Sequence, residues 1–172
     1  ITNIVAVGQG MLSKTHLEGL RTNKIKYVTI MFDNDKEDPK TGIRPGINNT
    51  ERAVRLILNN SDIVPFVLDP FKLTPSKDPD EYVRTFGIDP FKSLIKKREN
   101  GLMWVANRLL TKYDRTDAVE LAKLREELLD LMLSTPDVTI HSAMIDLIQK
   151  EFTLTKKDVI DLFKSVKEEK NL

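Results

Sequence analysis

The chain is 172 residues long with 40% hydrophobic residues, enough for one cored domain or for a small domain with a helical appendage. Its net charge of +1 excludes a global field that would draw it onto nucleic acid, so any basic footprint must be local. The absence of cysteine excludes disulfides and thiolate metal sites and fits a reducing compartment, and the only histidines, His16 and His141, are too far apart in sequence for a histidine-rich zinc site.

No apolar run reaches the roughly 18 to 20 residues that a membrane span needs, and the N-terminus has no signal-peptide pattern. The chain starts without Met, directly in a strand-like segment, which reads as a piece of a longer protein. The first expected element is Asn3-Ile-Val-Ala-Val7, a short buried strand. Gly8-Gln-Gly10 then turns the chain, and Ser13 caps a helix to about Arg21 with Leu12, Leu17 and Leu20 on its inner face.

Ile25-Lys-Tyr-Val-Thr-Ile-Met-Phe-Asp-Asn-Asp35 follows, an apolar, β-branched run that ends in two aspartates. It reads as the central strand of a parallel sheet, buried on both faces. Residues 36–49, with two prolines and two glycines, form a loop without periodicity. A helix is expected over residues 48–60, with Ala53, Val54, Ile57 and Leu58 as its stripe. Ile63-Val-Pro-Phe-Val-Leu68 is the next strand, and Pro65 within it predicts an edge position. The order β-α-β-α-β predicts a small parallel α/β sheet.

A loop over residues 69–77 leads to Asp78-Pro-Asp80, where Asp78 caps a short helix to about Phe86, with Pro79 in its first turn. Another helix is expected from Pro90 to about Arg98. Past Leu102 the strand signals stop. Stripes at Met103, Ala106, Leu109 and Leu110, then Leu121, Leu124, Leu128, Leu131 and Met132, then Ile140, Met144, Leu147 and Ile148, predict a helical bundle. Thr155-Lys-Lys-Asp158 has the form of a capping box opening a last helix, with Val159, Leu162, Phe163 and Val166 inward. The expected division is an α/β domain over residues 1–100 and a helical bundle over residues 101–172.

Asp33 and Asp35 are two apart and share a side of the strand, where they repel each other unless a cation lies between them. Ligands of parallel sheets bind outside the carboxyl ends of the strands, which is where these acids stand. Simple turn chemistry is the plainer reading of Asp-Asn-Asp. An EF-hand is excluded, because the sixth position is Asp38 rather than Gly and the twelfth is Arg44 rather than Glu. An aspartyl-nucleophile phosphatase wants Thr or Val where Glu37 stands. Asp78 and Asp80 have a plain reading as a helix cap with an acid in the first turn. Loops at the ends of neighbouring parallel strands converge, however, and four carboxylates there call for a hard cation such as Mg²⁺ or Mn²⁺. Gly8-Gln-Gly10 lacks the third glycine of a dinucleotide fingerprint, and no Walker-type Gly-Lys-Ser/Thr occurs. Lys14, Lys92 and Lys96 are the candidate nucleic-acid contacts, against the plainer reading of a solvated charged face.

Phe32-Asp-Asn-Asp35, Gly46-Ile-Asn-Asn-Thr-Glu-Arg-Ala53 and Lys77-Asp-Pro-Asp-Glu-Tyr-Val-Arg84 together resemble the TOPRIM domain of bacterial-type (DnaG-like) DNA primases. Phe86-Gly-Ile-Asp-Pro-Phe91 is similar to that family's continuation, and the helices after Leu102 resemble the bundle closing its RNA-polymerase core. The resemblance is most specific over residues 31 to 91. Two departures stand out: residues 36–45 are inserted between the Asp-x-Asp and the glycine, and the family's catalytic Glu, usually in Glu-Gly, would fall before Ile1.

The resemblance implies a parent DNA primase, possible also in a phage or mobile element, that makes short RNA primers on single-stranded DNA from ribonucleoside triphosphates in the cytoplasm. It implies that Asp33, Asp35, Asp78 and Asp80 hold Mg²⁺ or Mn²⁺, that a replicative helicase is a partner, and that this piece alone is inactive. The rival readings are a TOPRIM nuclease or topoisomerase-like enzyme, and a non-catalytic helicase-docking module.

Overall fold

The computed structural model describes residues 3–7, 11–135 and 137–169. The chain divides into two compact units, Ile1–Trp104 and Val105–Leu172. The first is mixed α/β with a small sheet, and the second is helical. Among the described residues no helix is long and apolar enough to cross a membrane.

In the first unit, α1 spans Lys14–Thr22 behind a reciprocal cap: the His16 amide donates to Ser13 Oγ (3.4 Å), and the Ser13 amide donates to His16 Nδ1 (3.0 Å). His16, which carries no weight in the sequence reading, is thus a capping residue. Leu17 is the buried member of this helix, while Leu12 and Leu20 are half-buried.

The sheet differs from the expected one in three ways. Residues 3–7 form no strand, and Ile4 and Val5 are 55% and 75% exposed; an apolar run gives the propensity for a strand but cannot supply the neighbour that pairs with it. The expected central strand, β1, is only Tyr27–Ile30 and lies at the edge of the order β1-β2-β3. A helix covers one of its faces, and Arg98 reaches over the other, donating to Thr29 Oγ1 (3.0 Å). Val28 and Ile30 align with Pro65 and Val67 of β2 (Val64–Val67) on the covered side, where α2 (Pro45–Asn60) packs on both strands. On the other side Tyr27 is 64% exposed.

The third difference is that β2, expected at an edge because of Pro65, is the central strand: it pairs parallel with β1 and antiparallel with β3 (Glu99–Asn100). Proline is tolerated there because Val64 and Leu68 direct their N–H groups to β1, at Lys26 O (2.9 Å) and Ile30 O (3.0 Å), so the position of the missing Pro65 N–H faces the other side. There β3 pairs only with Phe66 and Val67, and the chain leaves the ladder at Gly101. A Cβ on Gly101 would come within 2.9 Å of the Pro65 carbonyl oxygen, so this exit requires glycine.

Helix α2, Pro45–Asn60, begins earlier than its apolar stripe predicts, with proline in its first turn. It buries Ile47, Thr50, Ala53, Val54 and Ile57, and full burial of an Ile side chain is worth about 1.5–3 kcal/mol. The segment after β2 makes a 3₁₀ turn at Pro70–Leu73, then α3 (Pro79–Phe86) and α4 (Ile88–Ile95), the latter starting and ending earlier than expected. Leu68, Leu73 and Phe91 form a buried cluster against which Met31, Tyr82, Val83, Leu94 and Ile95 pack. This cluster ties the residue just past β1 to both helices. Asp69 adds a polar clamp, accepting from the Phe71 amide (2.9 Å) and from the buried Trp104 Nε1 (2.7 Å).

Helix α5 (Gly101–Lys112) runs across the division between the units. In the second unit α6 (Ala118–Leu133), α7 (Val138–Phe152) and α8 (Lys156–Glu169) pack on one another around Leu124, Leu128, Met132, Met144, Ile148 and Val159. Asp117 and Asp137 cap α6 and α7, and Thr155 and Asp158 form the expected capping box. His141 Nε2 donates to the Thr135 carbonyl (2.6 Å), pinning the turn between α6 and α7.

Two glycines in helices should respond oppositely to alanine. Gly19 has nothing within 4 Å of its would-be Cβ, so Gly19→Ala should stabilise the chain by about 0.5–1 kcal/mol. A Cβ on Gly46 would lie 1.8 Å from the Asp33 carbonyl oxygen, so Gly46→Ala should destabilise by about 1–3 kcal/mol despite its better helix propensity. Urea denaturation of the two variants checks the opposite signs.

Candidate metal centre

The acids at the end of β1 lie where three segments meet. Gly46, in the first turn of α2, sits directly on the Asp33 backbone. Its amide donates to Asp35 Oδ2 (3.1 Å), a bond spanning 11 positions in sequence. Arg44, the N-cap residue of α2, makes no capping bond of its own, so Asp35 satisfies this helix start from outside the helix. The third segment is the loop before α3, where the Lys77 carbonyl accepts the Asn34 amide at 2.6 Å. The Asn34 side chain donates to Thr74 Oγ1 (3.1 Å) and to the Ser76 carbonyl (3.4 Å).

Asp78 then opens α3. Its Oδ1 accepts the Glu81 amide (2.7 Å), and Glu81 Oε2 reaches back to accept the Lys77 amide (2.7 Å). Both residues of the cap therefore serve the helix and hold the loop that carries it.

These contacts bring Asp35 and Asp78 near enough to Asp33 for both charges to act on it. Asp33 is solvent-accessible, yet partial enclosure by the surrounding loops is the largest influence raising its pKa above the usual aspartate value. The negative charges of Asp35 and then Asp78 raise it further, and Lys77 pulls it back in part. The Asp33 carboxylate accepts no hydrogen bond from any described residue, and Asp35 Oδ1 and Asp78 Oδ2 are left free by the bonds above. Asp80 is placed differently: it is exposed, pairs with Arg84 one turn on (2.8 Å), and is not among the charges acting on Asp33.

Among the described residues no three His, Cys, Asp or Glu side chains stand close enough to cage an ion by themselves. The donor set still suits a hard cation. Free carboxylate oxygens on neighbouring, mutually repelling acids match Mg²⁺ or Mn²⁺, and Mg²⁺ is usually held by one or two carboxylates while waters and phosphate oxygens complete its shell.

The candidate nucleic-acid lysines are spread out. Lys14 is the first residue of α1, Lys92 lies on α4 paired with Asp89 (3.3 Å), and Lys96 follows the end of α4; all three are exposed. Gly8-Gln-Gly10 lies outside the described residues. The sequence reading did not pick out Asn34, Gly46 as a close-packing residue, or Lys77. The signal for Asn34 was a polar side chain out of phase with its two acidic neighbours. For Gly46 it was a glycine next to a proline at the foot of a helix.

No protein-family model matches the chain. A DNA primase of Enterococcus faecalis (strain ATCC 700802 / V583) is 26% identical over 145 residues, which is 84% of this chain but 21% of that protein. A DNA primase domain from Pseudomonas aeruginosa superposes with a TM-score of 0.62 at 20% identity, covering 88% of this chain and 44% of the other. The DnaG catalytic core superposes with a TM-score of 0.63 at 17% identity, covering 88% and 46%. The chain thus spans about a fifth of the curated relative (21%) and under half of either solved chain. The resemblance to DnaG-like primases extends over most of the chain, and its fold is that of part of the primase catalytic core.

Proposed function

We propose that this chain carries the metal-binding acids of a primase that makes short RNA primers on single-stranded DNA from ribonucleoside triphosphates. The observation that carries the reading is that Asp35 and Asp78, from loops that follow two adjacent parallel strands, both come near enough to Asp33 for their charges to act on it. In this reading the whole protein is a cytoplasmic nucleotidyltransferase, and residues 1–100 and 101–172 are its TOPRIM-like domain and helical bundle.

Asp33, Asp35 and Asp78 would hold Mg²⁺ or Mn²⁺, each through carboxylate oxygens that no described residue occupies. A bound divalent ion supplies positive charge for the triphosphate and for the attacking and leaving oxygens. Asp33 is the principal ligand, because it spends no oxygen on the fold. Asp35 and Asp78 each commit one oxygen to a helix start and so are held rigidly. Asp80 joins the set only when its pair with Arg84 opens. Lys14, Lys92 and Lys96 are the proposed template contacts, each acting on backbone phosphate through charge alone.

Titration with Mn²⁺, followed by the loss of the free-ion paramagnetic resonance signal, tests the reading directly. Asp33→Asn and Asp35→Asn should each weaken binding by roughly 10-fold or more while leaving the fold intact. Unchanged binding in both variants would overturn the metal centre, and would favour a module that docks without metal.

The pKa of Asp33 gives a second, independent check. Its carboxyl holds a proton to higher pH when folded than when unfolded, because enclosure and the two neighbouring acids disfavour the anion. Protonation therefore favours folding: that contribution is complete below the unfolded pKa and is lost as pH rises through the raised folded value. Asp33→Asn removes the charge at every pH. It should raise the Tm by about 1–3 °C at neutral pH, a modest gain because the group is largely hydrated. The difference from the native chain should vanish in acid below the ordinary aspartate range. Calorimetric scans across that range would show it, and a variant less stable at neutral pH would contradict the repulsion.

A further inference from the structure

Asn34 stands between the two acids that follow β1. Its carboxamide nitrogen crosses to the loop before α3, donating to Thr74 Oγ1 (3.1 Å) and to the Ser76 carbonyl (3.4 Å), positions 40 and 42 residues away in sequence. Its amide meets the Lys77 carbonyl at 2.6 Å, immediately before Asp78. Three bonds from one residue thus fix the loop at three successive points: Thr74, Ser76 and Lys77.

Ser76 is buried, while Thr74 and Lys77 are exposed. The loop before α3 is also held by bonds of its own, from the Thr74 amide to the Phe71 carbonyl, the Ser76 amide to the Leu73 carbonyl and the Lys77 amide to Glu81 Oε2, and none of these reaches the acid pair after β1. Those bonds fix the loop to its own helix and leave its distance from Asp33 and Asp35 to the contacts of Asn34, and a metal shell tolerates little error in that distance. The carboxamide is suited to prevent this, because its amino group offers two donors to two acceptors on the facing loop, where a carboxylate would meet the Ser76 carbonyl with repulsion.

We propose that Asn34 is a positioning residue for the metal centre: its side chain sets the separation between the acid pair after β1 and Asp78, without touching the ion. The inference rests on the metal-binding reading of Asp33, Asp35 and Asp78. It assigns to the middle residue of Asp-Asn-Asp a role that neither turn propensity nor charge would give it.

The test is Mn²⁺ titration of the chain by paramagnetic resonance, with thermal unfolding run alongside. Asn34→Ala keeps the backbone bond to Lys77 and should weaken Mn²⁺ binding by about 10-fold, the usual size of an effect transmitted through a ligand's support, with little change in Tm. Thr74→Val removes one acceptor and should weaken binding less, while Thr74→Ser, which keeps the hydroxyl, should restore it. The double variant Asn34→Ala with Thr74→Val should bind no more weakly than Asn34→Ala alone, since both changes break one link.

Native-like affinity in both Asn34→Ala and Thr74→Val, with Asp33→Asn deficient, would overturn the positioning role and leave the metal centre standing. Absence of Mn²⁺ binding by the native chain, or its retention in Asp33→Asn, would overturn the metal centre and this inference with it. If Asn34→Ala fails to fold, the comparison of Thr74→Val with Thr74→Ser decides the matter alone, because only a role in the centre makes affinity follow the hydroxyl.

Discussion

Close packing of Gly46 on the Asp33 backbone, at a distance that leaves no room for a Cβ, is the constraint on which the proposed site depends. It brings the start of α2 to the end of β1, so the Asp35 carboxylate meets the Gly46 amide and satisfies a helix terminus whose own N-cap residue, Arg44, has no suitable side chain. A carboxylate at a helix start is favoured both by the hydrogen bond and by the helix dipole. That attraction offsets part of the repulsion between Asp35 and Asp33. Two acids can therefore stand side by side in the folded chain, and the repulsion that remains contributes to the raised pKa of Asp33.

The second loop is built on the same logic. Asp78 caps α3 with one oxygen, and Glu81 closes the cap on Lys77. Each acid other than Asp33 is thus anchored by structural work it performs for a helix, which makes its position independent of any ligand. Lys77 moderates the field at Asp33 without pairing with it in a salt bridge, so the centre keeps a net negative charge. Acids already anchored by helix-start hydrogen bonds, with an uncompensated charge between them, meet the electrostatic condition for taking up a cation.

Much of this was legible in the sequence where the signal is local. Ser13, Asp78 with Pro79, and Thr155 with Asp158 mark helix starts by chemistry that acts within one turn, and the helices after Leu102 follow their apolar spacing. Reading failed where pairing decides. Residues 3–7 have strand composition and no strand; the two-residue β3 has no composition signal at all; and Pro65 obeyed the steric rule behind the edge-strand expectation while breaking the expectation itself, since β3 stops before reaching it. The acids were visible through type and spacing. The residues that place them were not, because Asn34 and Gly46 act on partners that only folding brings near.

Residues 36–45 lie between the acids and Gly46, and the question is whether a stretch of that length would pull the site apart. The local hydrogen bonds answer it. Asp38 and Ile43 are joined by a backbone bond (2.8 Å), Gly42 and Thr41 donate back to the Asp38 carbonyl (2.8 and 3.2 Å), and Asp38 Oδ1 accepts the Lys40 amide (2.8 Å). Gly42 takes the left-handed φ of +66° that such a tight return needs. Arg44, reaching Glu37 at 3.6 Å and lying 5.1 Å over the Phe71 ring, fastens the base of this return beside α2. This stretch closes on itself, and Gly46 arrives at Asp33 and Asp35. Since the entropic cost of a loop grows only slowly with its length, a long loop that carries its own closing bonds leaves the geometry of the acids to the contacts beneath it.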